Sequence, residues 1–270
     1  MLAAPAWKPA PGCAVRYRAG MDDATQSIEL VYEDADLVVA VKPAGLAVHR
    51  SRLVGREDDY LVDRLRRQLD GPVHLANRLD RATSGLVLVA RSREVATALG
   101  EQLMARTVAK TYLAIVRGWP DETGAIDYPL TVGSMTGERK PALTRWRRLG
   151  QVEVPIAIGR YPEQRYSLLE LMPDTGRYRQ LRRHLHHAHH PIIGDTTLGR
   201  GEHNRLFRQY FHSHRMLLHA WRLAIAHPTT GAPLALDAPL DATWQQLLAR
   251  FAWTDALPPA PTPPSAAAAS

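Results

Sequence analysis

The residue best suited to chemistry in this sequence is an aspartate, Asp80, within the segment from His74 to Ala90. Both ends of the segment are apolar runs of strand length, and Arg78 and Arg81 lie on either side of the aspartate. Nearby positive charge favours the anionic form of a carboxylate, so we expect Asp80 to be ionised. Such a carboxylate could act as a nucleophile, as a base or within an anion-binding site. The same residues could instead form a structural ion pair, and both interpretations stay open here.

A second polar segment runs from Arg177 to His190 and consists mainly of Arg, Gln and His. Apolar residues recur along it at helical spacing and predict a helix over 177–189, namely Tyr178, Leu181, Leu185 and Ala188. The arginines near its start are Arg179, Arg182 and Arg183, with Gln180 between them. They could face a polyanion or form a solvated basic surface.

The histidines of this segment raise the question of a metal site. His186 and His190 are four residues apart, a spacing that can bind zinc from one helix face. The metallopeptidase motif needs Glu after the first histidine, where this chain has His187. No carboxylate or cysteine completes a ligand set, so we expect no metal.

Hydrolase and nucleotide-cofactor chemistry have little support. Ser84, His219 and Asp80 could suggest a catalytic triad, but the Gly-x-Ser-x-Gly pattern is absent around Ser84. No phosphate-binding glycine-rich loop of Walker or Rossmann type is present. The sequence therefore gives no support for a nucleotide cofactor.

Bulk composition predicts a globular protein with a polyanionic partner. The 270 residues are 45% hydrophobic and 23% charged, and the net charge of +7 comes mostly from arginine, which binds phosphate well. The one cysteine, Cys13, excludes a disulfide within the chain and suggests a reducing compartment. The sequence has no apolar run of membrane-spanning length and no signal-peptide core, so we expect a cytoplasmic protein.

Periodicity predicts one folded domain at 27–254 between a disordered leader at 1–26 and a disordered Pro/Ala-rich tail at 255–270. Helical spacing occurs at 59–69, after Ser92, at 177–189 and at 241–251. Runs of β-forming residues predict strands at 28–32, 37–41, 110–116, 143–149, 152–158, 165–172, 216–226 and 234–236. Strands and helices do not alternate regularly, which predicts an α+β fold with a central sheet.

Five motifs resemble those of the RluA-type pseudouridine synthases, in the same order and with similar separations. They are Asn77-Arg78-Leu79-Asp80-Arg81-x-Thr83-Ser84-Gly85, Lys110-x-Tyr112, Gly176-Arg177-x-x-Gln180-Leu181-Arg182-x-His184, Pro191-Ile192-Ile193-Gly194-Asp195 and Leu218-His219-Ala220. The resemblance extends from about Ile28 to Trp253. It implies the pseudouridine synthase fold, with a mostly antiparallel mixed sheet, flanking helices and a catalytic cleft.

The resemblance also implies roles for individual residues. Asp80 would be the catalytic carboxylate, either attacking the target nucleoside or deprotonating its sugar, and Arg182 would pair with it. Tyr112 would lie against the uracil ring and act in a late proton step, while Leu218 would form an apolar wall. Arg78 would help to displace the target base. Further contacts with RNA are expected from Arg81, Thr83, Lys110, Arg179, Gln180 and Arg183.

The resemblance implies a tRNA substrate and no cofactor. Segments such as Lys42–Ser51, Gly159–Pro162, Leu181–Leu185 and Trp253 resemble one tRNA-modifying member, which implies uridine 65, placed in the acceptor stem. Ribosomal RNA is the alternative substrate, and a non-catalytic RNA-binding protein is the alternative from another class. The chain departs from the family pattern at Asn77 and Arg179, where histidine is usual.

Overall fold

The structure is a computed structural model, and it describes residues 27–49, 59–132 and 137–259. The predicted leader, the outer part of the predicted tail and Arg50–Ser51 lie outside the described residues. Within the described part, one large sheet carries helices on both faces. The expected α+β arrangement is therefore confirmed.

The sheet contains ten strands, and its central path is β1-β2-β4-β11-β5-β10-β9-β6. In chain order the strands are β1 Glu29–Glu33, β2 Leu37–Lys42, β3 His74–Leu75, β4 Ser84–Ala90, β5 Ala109–Arg117, β6 Thr123–Asp127, β7 Leu130–Thr131, β8 Arg139–Lys140, β9 Leu143–Val154, β10 Gln164–Pro173, β11 Leu218–Ala226 and β12 Pro233–Asp237. β3 and β12 attach to β4 and β11, while β7 and β8 form a separate hairpin. All the ladders are antiparallel except β4 with β11, where His219 lies opposite Ser84.

In the described part of the chain, five α-helices flank the sheet, and several have recognisable start signals. They are α1 Leu61–Gln68, α2 Arg93–Ala105, α3 Gln180–His187, α4 Gly201–Phe211 and α5 Ala242–Arg250. Ser92 caps α2 by accepting the Val95 amide at 3.1 Å, and Asp241 caps α5 by accepting the Trp244 amide at 3.2 Å. A 3-10 turn, Thr254–Ala256, follows α5.

The core lies on both sides of the central strands, which explains the continuous apolar run in β4. All seven residues of β4 are buried. Leu61 and Leu65 of α1 cover one face, while Val95 and Leu99 of α2 cover the other. A strand covered on both faces reads as an unbroken apolar run rather than an alternating one.

Several predictions differ from the structure. The strands expected at 143–149 and 152–158 merge into one strand, β9, which ends at Val154. Glycine is needed at Gly150 because the Trp253 ring packs where a β-carbon would stand. The helix expected at 177–189 spans only Gln180–His187. Neither α4 nor β6 was predicted from the sequence. The chain also contacts the core beyond the predicted domain end at 254, through Ala256 and Leu257.

Gly85 is the position at which the close approach of β4 and β11 depends on glycine. Its φ is +112°, and a β-carbon there would lie 2.1 Å from the Ala220 carbonyl oxygen. No L side chain fits this geometry without separating the two strands. Because Gly85 is the second residue of β4, this contact also fixes where the turn that contains Asp80 joins the sheet.

We expect Gly85→Ala to lower the free energy of unfolding by at least ~2 kcal/mol, because it adds both backbone strain and a steric clash. Gly100→Ala, in α2, is the matched control, since a β-carbon there meets nothing within 4 Å. That control should stabilise the protein by about 0.5–1 kcal/mol through helix propensity. Urea unfolding of both variants measures the difference, and equal effects would contradict this account of Gly85.

Candidate active site

Asp80 lies in the turn between β3 and β4. The Asp80 carbonyl accepts the Thr83 amide at 3.0 Å, which closes the turn. Asn77 fastens the beginning of the turn, because its Oδ1 accepts the Leu88 amide of β4 at 2.7 Å. This contact gives Asn77 a structural role at the position where the resembled family usually has histidine.

A buried lysine fastens the other side of the turn. Lys42 is fully buried, and its Nζ donates to the carbonyls of Pro43, Leu46 and Arg81 at 2.7, 2.8 and 2.9 Å. Burial, followed by the charge of Arg215, lowers the pKa of Lys42 to about 7. The three bonds join the loop after β2 to the residue that follows Asp80.

Asp80 pairs with an arginine from a remote part of the chain. The Arg182 Nη1 lies 2.7 Å from the Asp80 Oδ2. The other edge of the guanidinium binds Asp195, with the Nε and Nη2 at 2.7 and 2.9 Å from its two oxygens. Burial opposes the charge of the guanidinium, but Asp195 and then Asp80 raise the pKa of Arg182. Arg182 is therefore a fixed cation between two carboxylates.

Asp195 is itself held tightly, which fixes Arg182 in turn. It is 2% exposed, and its Oδ1 accepts the amides of Thr197 and Leu198 at 2.9 and 3.0 Å. Although burial disfavours the carboxylate, the bonds from Arg182 and these amides lower the pKa of Asp195. The site is thus built on an ion pair between two loops and a helix.

Gln180 fixes the start of the helix that carries Arg182. Its side-chain oxygen accepts from the Thr175 hydroxyl at 2.7 Å and the Arg177 amide at 3.0 Å. Its side-chain nitrogen donates to the Thr144 hydroxyl at 3.0 Å. Gln180 is 5% exposed, so the expectation that it contacts RNA is not supported, because its amide is engaged within the protein. Arg179, before it, has a positive φ of 51°.

Tyr112 and Leu218 come from the neighbouring strands β5 and β11 and belong to one apolar cluster near Asp80. Leu218 is buried, while the Tyr112 side chain reaches a cleft that also contains Asp80. Burial, followed by the charge of Asp80, raises the pKa of Tyr112 to about 12. The phenol therefore carries its proton at neutral pH.

Two clefts meet at Asp80. The first, of about 680 Å³, lies on the side of Arg182, Asp195 and Arg215. The second, of about 690 Å³, lies on the side of Tyr112, Lys110 and the end of α2. Both clefts share the residues Arg78, Leu79, Asp80, Tyr178 and Arg179. Asp80 can therefore be reached from either side of a basic rim.

The other residues that were predicted to contact RNA differ in position: two line a cleft, one is buried, and one lies outside both clefts. Arg81 lines the first cleft, and Lys110 lies half-buried in the second. Thr83 is buried, so its expected exposure to RNA is not supported; its amide closes the turn instead. Arg183 lines neither cleft, and it donates to the Thr131 carbonyl at 3.0 Å.

Ser84 and His219 do meet, with the Ser84 Oγ 2.7 Å from the His219 Nδ1. Both residues are buried, and the Arg215 guanidinium also donates to the Ser84 hydroxyl. Burial and then the charge of Arg215 lower the pKa of His219 to about 4, so the imidazole is neutral. The serine is turned inward and bonded twice. This cluster anchors the start of β4 and does not present a nucleophile.

The histidine-rich end of α3 bonds to backbone. His186 and His190 each place the Nδ1 near a carbonyl oxygen, of Leu198 at 2.7 Å and of Arg117 at 2.9 Å. Across the described residues, no group of three or more His, Cys, Asp and Glu could hold a metal ion. In the same part of the chain, none of the helices is both long and apolar enough to span a membrane.

Sequence reasoning gave no role to three residues that build this site: Lys42, Asp195 and Arg215. Lys42 and Asp195 stood within quoted motifs, and a lone lysine inside an apolar strand end is a signal of a buried structural cation. Arg215 had no local signal, because its partners Ser84 and Asp241 are distant in sequence.

Comparison with known proteins finds one family model and several individual proteins that are similar to this chain. A family model described as RNA pseudouridylate synthase matches residues 36–187. A protein of Vibrio parahaemolyticus named tRNA pseudouridine synthase C is 45% identical over 239 residues, which cover 85% of this chain and 97% of the relative. A protein of the same name from Vibrio cholerae is 44% identical, covering 85% and 98%.

Solved structures show the same fold. Human RNA pseudouridylate synthase domain containing 4 has a TM-score of 0.64 at 24% identity, covering 83% of this chain and 92% of that one. Human RNA pseudouridylate synthase domain containing 1 has a TM-score of 0.62 at 25% identity, covering 87% and 97%. From the family match and the close relatives, we conclude that this chain belongs to the RNA pseudouridylate synthase family, as its RluA-type motifs indicated.

Proposed function

We propose that this protein converts uridine to pseudouridine in tRNA, with Asp80 as the catalytic carboxylate. The observation that carries the proposal is the 2.7 Å pair between Asp80 and Arg182 at the junction of two basic clefts. The tRNA substrate is supported by relatives named tRNA pseudouridine synthase C that are about 45% identical. The basic rim suits a phosphate backbone, whose contacts make binding dependent on salt.

The reaction needs one carboxylate and returns the uracil to the same sugar. In one route, Asp80 attacks C1′ of the ribose, and the N1–C1′ bond breaks with its electron pair leaving on the uracil. The uracil then turns, C5 bonds to C1′ as the carboxylate leaves, and the proton on C5 passes to water. In the other route, Asp80 removes the C2′ proton while the N1–C1′ bond breaks and its electron pair leaves on the uracil, which gives a glycal. C5 of the turned uracil then bonds to C1′, the carboxyl group returns the proton to C2′, and the proton on C5 passes to water. In both routes Arg182 orients the carboxylate.

The side chains around Asp80 position the uracil base and do not themselves form or break the glycosidic bond. Tyr112 lies against the uracil ring and, as a neutral phenol, donates a hydrogen bond or relays a proton late in the reaction. Leu218 supports the Tyr112 pocket from within the apolar cluster. Arg78 occupies the rim and takes the place of the displaced base. Removing a base from its stack costs a few kcal/mol, which contacts with the phosphates repay in part.

Uridine 65 is the proposed target. Carbodiimide mapping of pseudouridine in a deletion strain identifies the RNA. Loss of the modification at position 65 supports the proposal, and loss confined to ribosomal RNA refutes the tRNA assignment.

We expect Asp80→Asn to reduce pseudouridine formation by roughly 10³-fold or more, because the amide is neither a nucleophile nor a base. The measurement is tritium release from tRNA labelled at uracil C5, in the presence of a chelator. RNA binding should persist, since the substitution preserves shape.

Asp237→Asn is the matched control, because Asp237 also pairs with an arginine, Arg222 at 3.2 Å, and lines neither cleft. It should keep wild-type release. Full activity of Asp80→Asn would refute the catalytic assignment. Wild-type protein that binds tRNA but releases no tritium would instead support a non-catalytic RNA-binding protein.

We propose that Asp195 positions Arg182, and we expect Asp195→Asn to reduce kcat with little change in KM for RNA. The variant should also lose about 3 kcal/mol of stability at pH 7, because a buried cation loses one of its anions. The pKa of Asp195 is lowered on folding, so its contribution is full above the unfolded value of about 3.9.

The stability difference between wild type and Asp195→Asn should therefore shrink as the pH falls below about 4. Urea unfolding across pH 3–7 and steady-state kinetics at pH 7 measure the two effects. Asp237→Asn serves again as the control. A rise in the KM for RNA with an unchanged kcat would show instead that Asp195 acts on RNA binding.

A further inference from the structure

Two exposed apolar side chains line the second cleft, the one that contains Asp80 and Tyr112. Met104, near the end of α2, is 77% exposed, and Tyr178, in the turn before α3, is 59% exposed. Exposed apolar residues that are scattered singly need no explanation. Here two of them, on separate elements, border one cleft and give its rim an apolar surface.

Positive charge surrounds these two side chains. Five cations line the cleft, against the carboxylates Asp80 and Asp174: Arg78, Arg106, Lys110, Arg177 and Arg179. Both carboxylates already have partners: Arg182 lies 2.7 Å from Asp80, and Arg145 lies 2.7 Å from Asp174. The cations therefore leave the rim with a net positive charge that suits a phosphate.

Tyr178 is held ready for a planar partner. The guanidinium carbon of Arg179 lies 4.9 Å from the centre of the Tyr178 ring, which supports the ring from one side. The Arg179 Nε is buried and has no hydrogen-bond partner among the residues that the structure describes. The Gln180 amide donates to the Arg177 carbonyl at 3.0 Å and fixes the turn. The backbone turn that carries Tyr178 is therefore fixed before a ligand binds, which lowers the entropic cost of binding.

We propose that this rim binds a second nucleobase of the substrate RNA, next to the target uridine, by stacking on Tyr178 with apolar contact to Met104. An aromatic ring beside arginines is the chemistry that holds unpaired bases and their phosphates. Because the same cleft contains Asp80, a base at the rim adjoins the one that reaches the carboxylate. The inference rests on the proposed function, since it takes RNA as the ligand.

The test is a double-mutant cycle between protein and RNA, in an Asp80→Asn background so that the RNA is not converted. Tyr178→Ala should weaken binding of intact tRNA roughly 5- to 100-fold, the range for loss of one stacked base. In tRNA with an abasic site at one of the two nucleotides that flank uridine 65, the same substitution should have no further effect. Met104→Ala should show a smaller loss with the same dependence.

Tyr210→Ala is the matched control, because Tyr210 is 52% exposed and lies outside both clefts. It should leave affinity unchanged for every RNA. The proposal is overturned if Tyr178→Ala leaves affinity unchanged, or weakens intact and abasic RNAs equally. Tritium release by the wild-type protein is measured separately. If Tyr178 and the flanking base are coupled in the cycle but no tritium is released, the proposed function alone is refuted. If tritium is released but the two show no coupling, the rim site alone is refuted.

Discussion

The buried charge of Arg182 is the constraint on which the site depends. A guanidinium removed from water is costly unless its donors meet anions in good geometry, and Arg182 is 6% exposed. Asp195 binds one edge of it, and Asp80 completes the other. Three segments must therefore meet at one point: the turn between β3 and β4, the helix α3 and the loop that follows α3. A shift of any of them would leave a buried charge without its partner.

Hydrogen bonds to backbone transmit this constraint into the sheet. Lys42 ties the loop after β2 to Arg81, Asn77 ties the Asp80 turn to β4, and Gln180 ties the start of α3 to β9. Lys42 and Gln180 are buried and Asn77 is half-buried, and the bonding groups of each side chain face other segments. Buried networks of this kind are costly when incomplete and rigid when complete. The carboxylate is thus placed before any RNA arrives, without relying on contacts made by the substrate.

Local patterning predicted the central strands and most helices, because their apolar periodicity is strong, but it could not identify the partner of Asp80. Residue types alone suggested Arg78 and Arg81, which are adjacent in sequence. The structure gives that role to Arg182, 102 positions away, and only the motif resemblance indicated it.

Helix α4 was not predicted because most of its residues are polar. Its few apolar side chains, such as Phe207, are buried only through packing against α5 and the sheet, which local sequence does not show. Gln180 and Thr83 were assigned to RNA because a polar residue in a motif gives no sign of whether it faces solvent.

Burial divides the arginines of the site into two groups with different effects on RNA. Arg182 is enclosed and neutralised by two carboxylates, so it adds little to the field outside the protein. Arg78 and Arg179 border both clefts, and neither pairs with a carboxylate among the described residues. The exposed arginines of the rim therefore attract the polyanion over long range, whereas the buried Arg182 orients the carboxylate. Salt screens exposed charges much more than buried ones, so ionic strength should act on RNA affinity and leave the Asp80–Arg182 geometry intact.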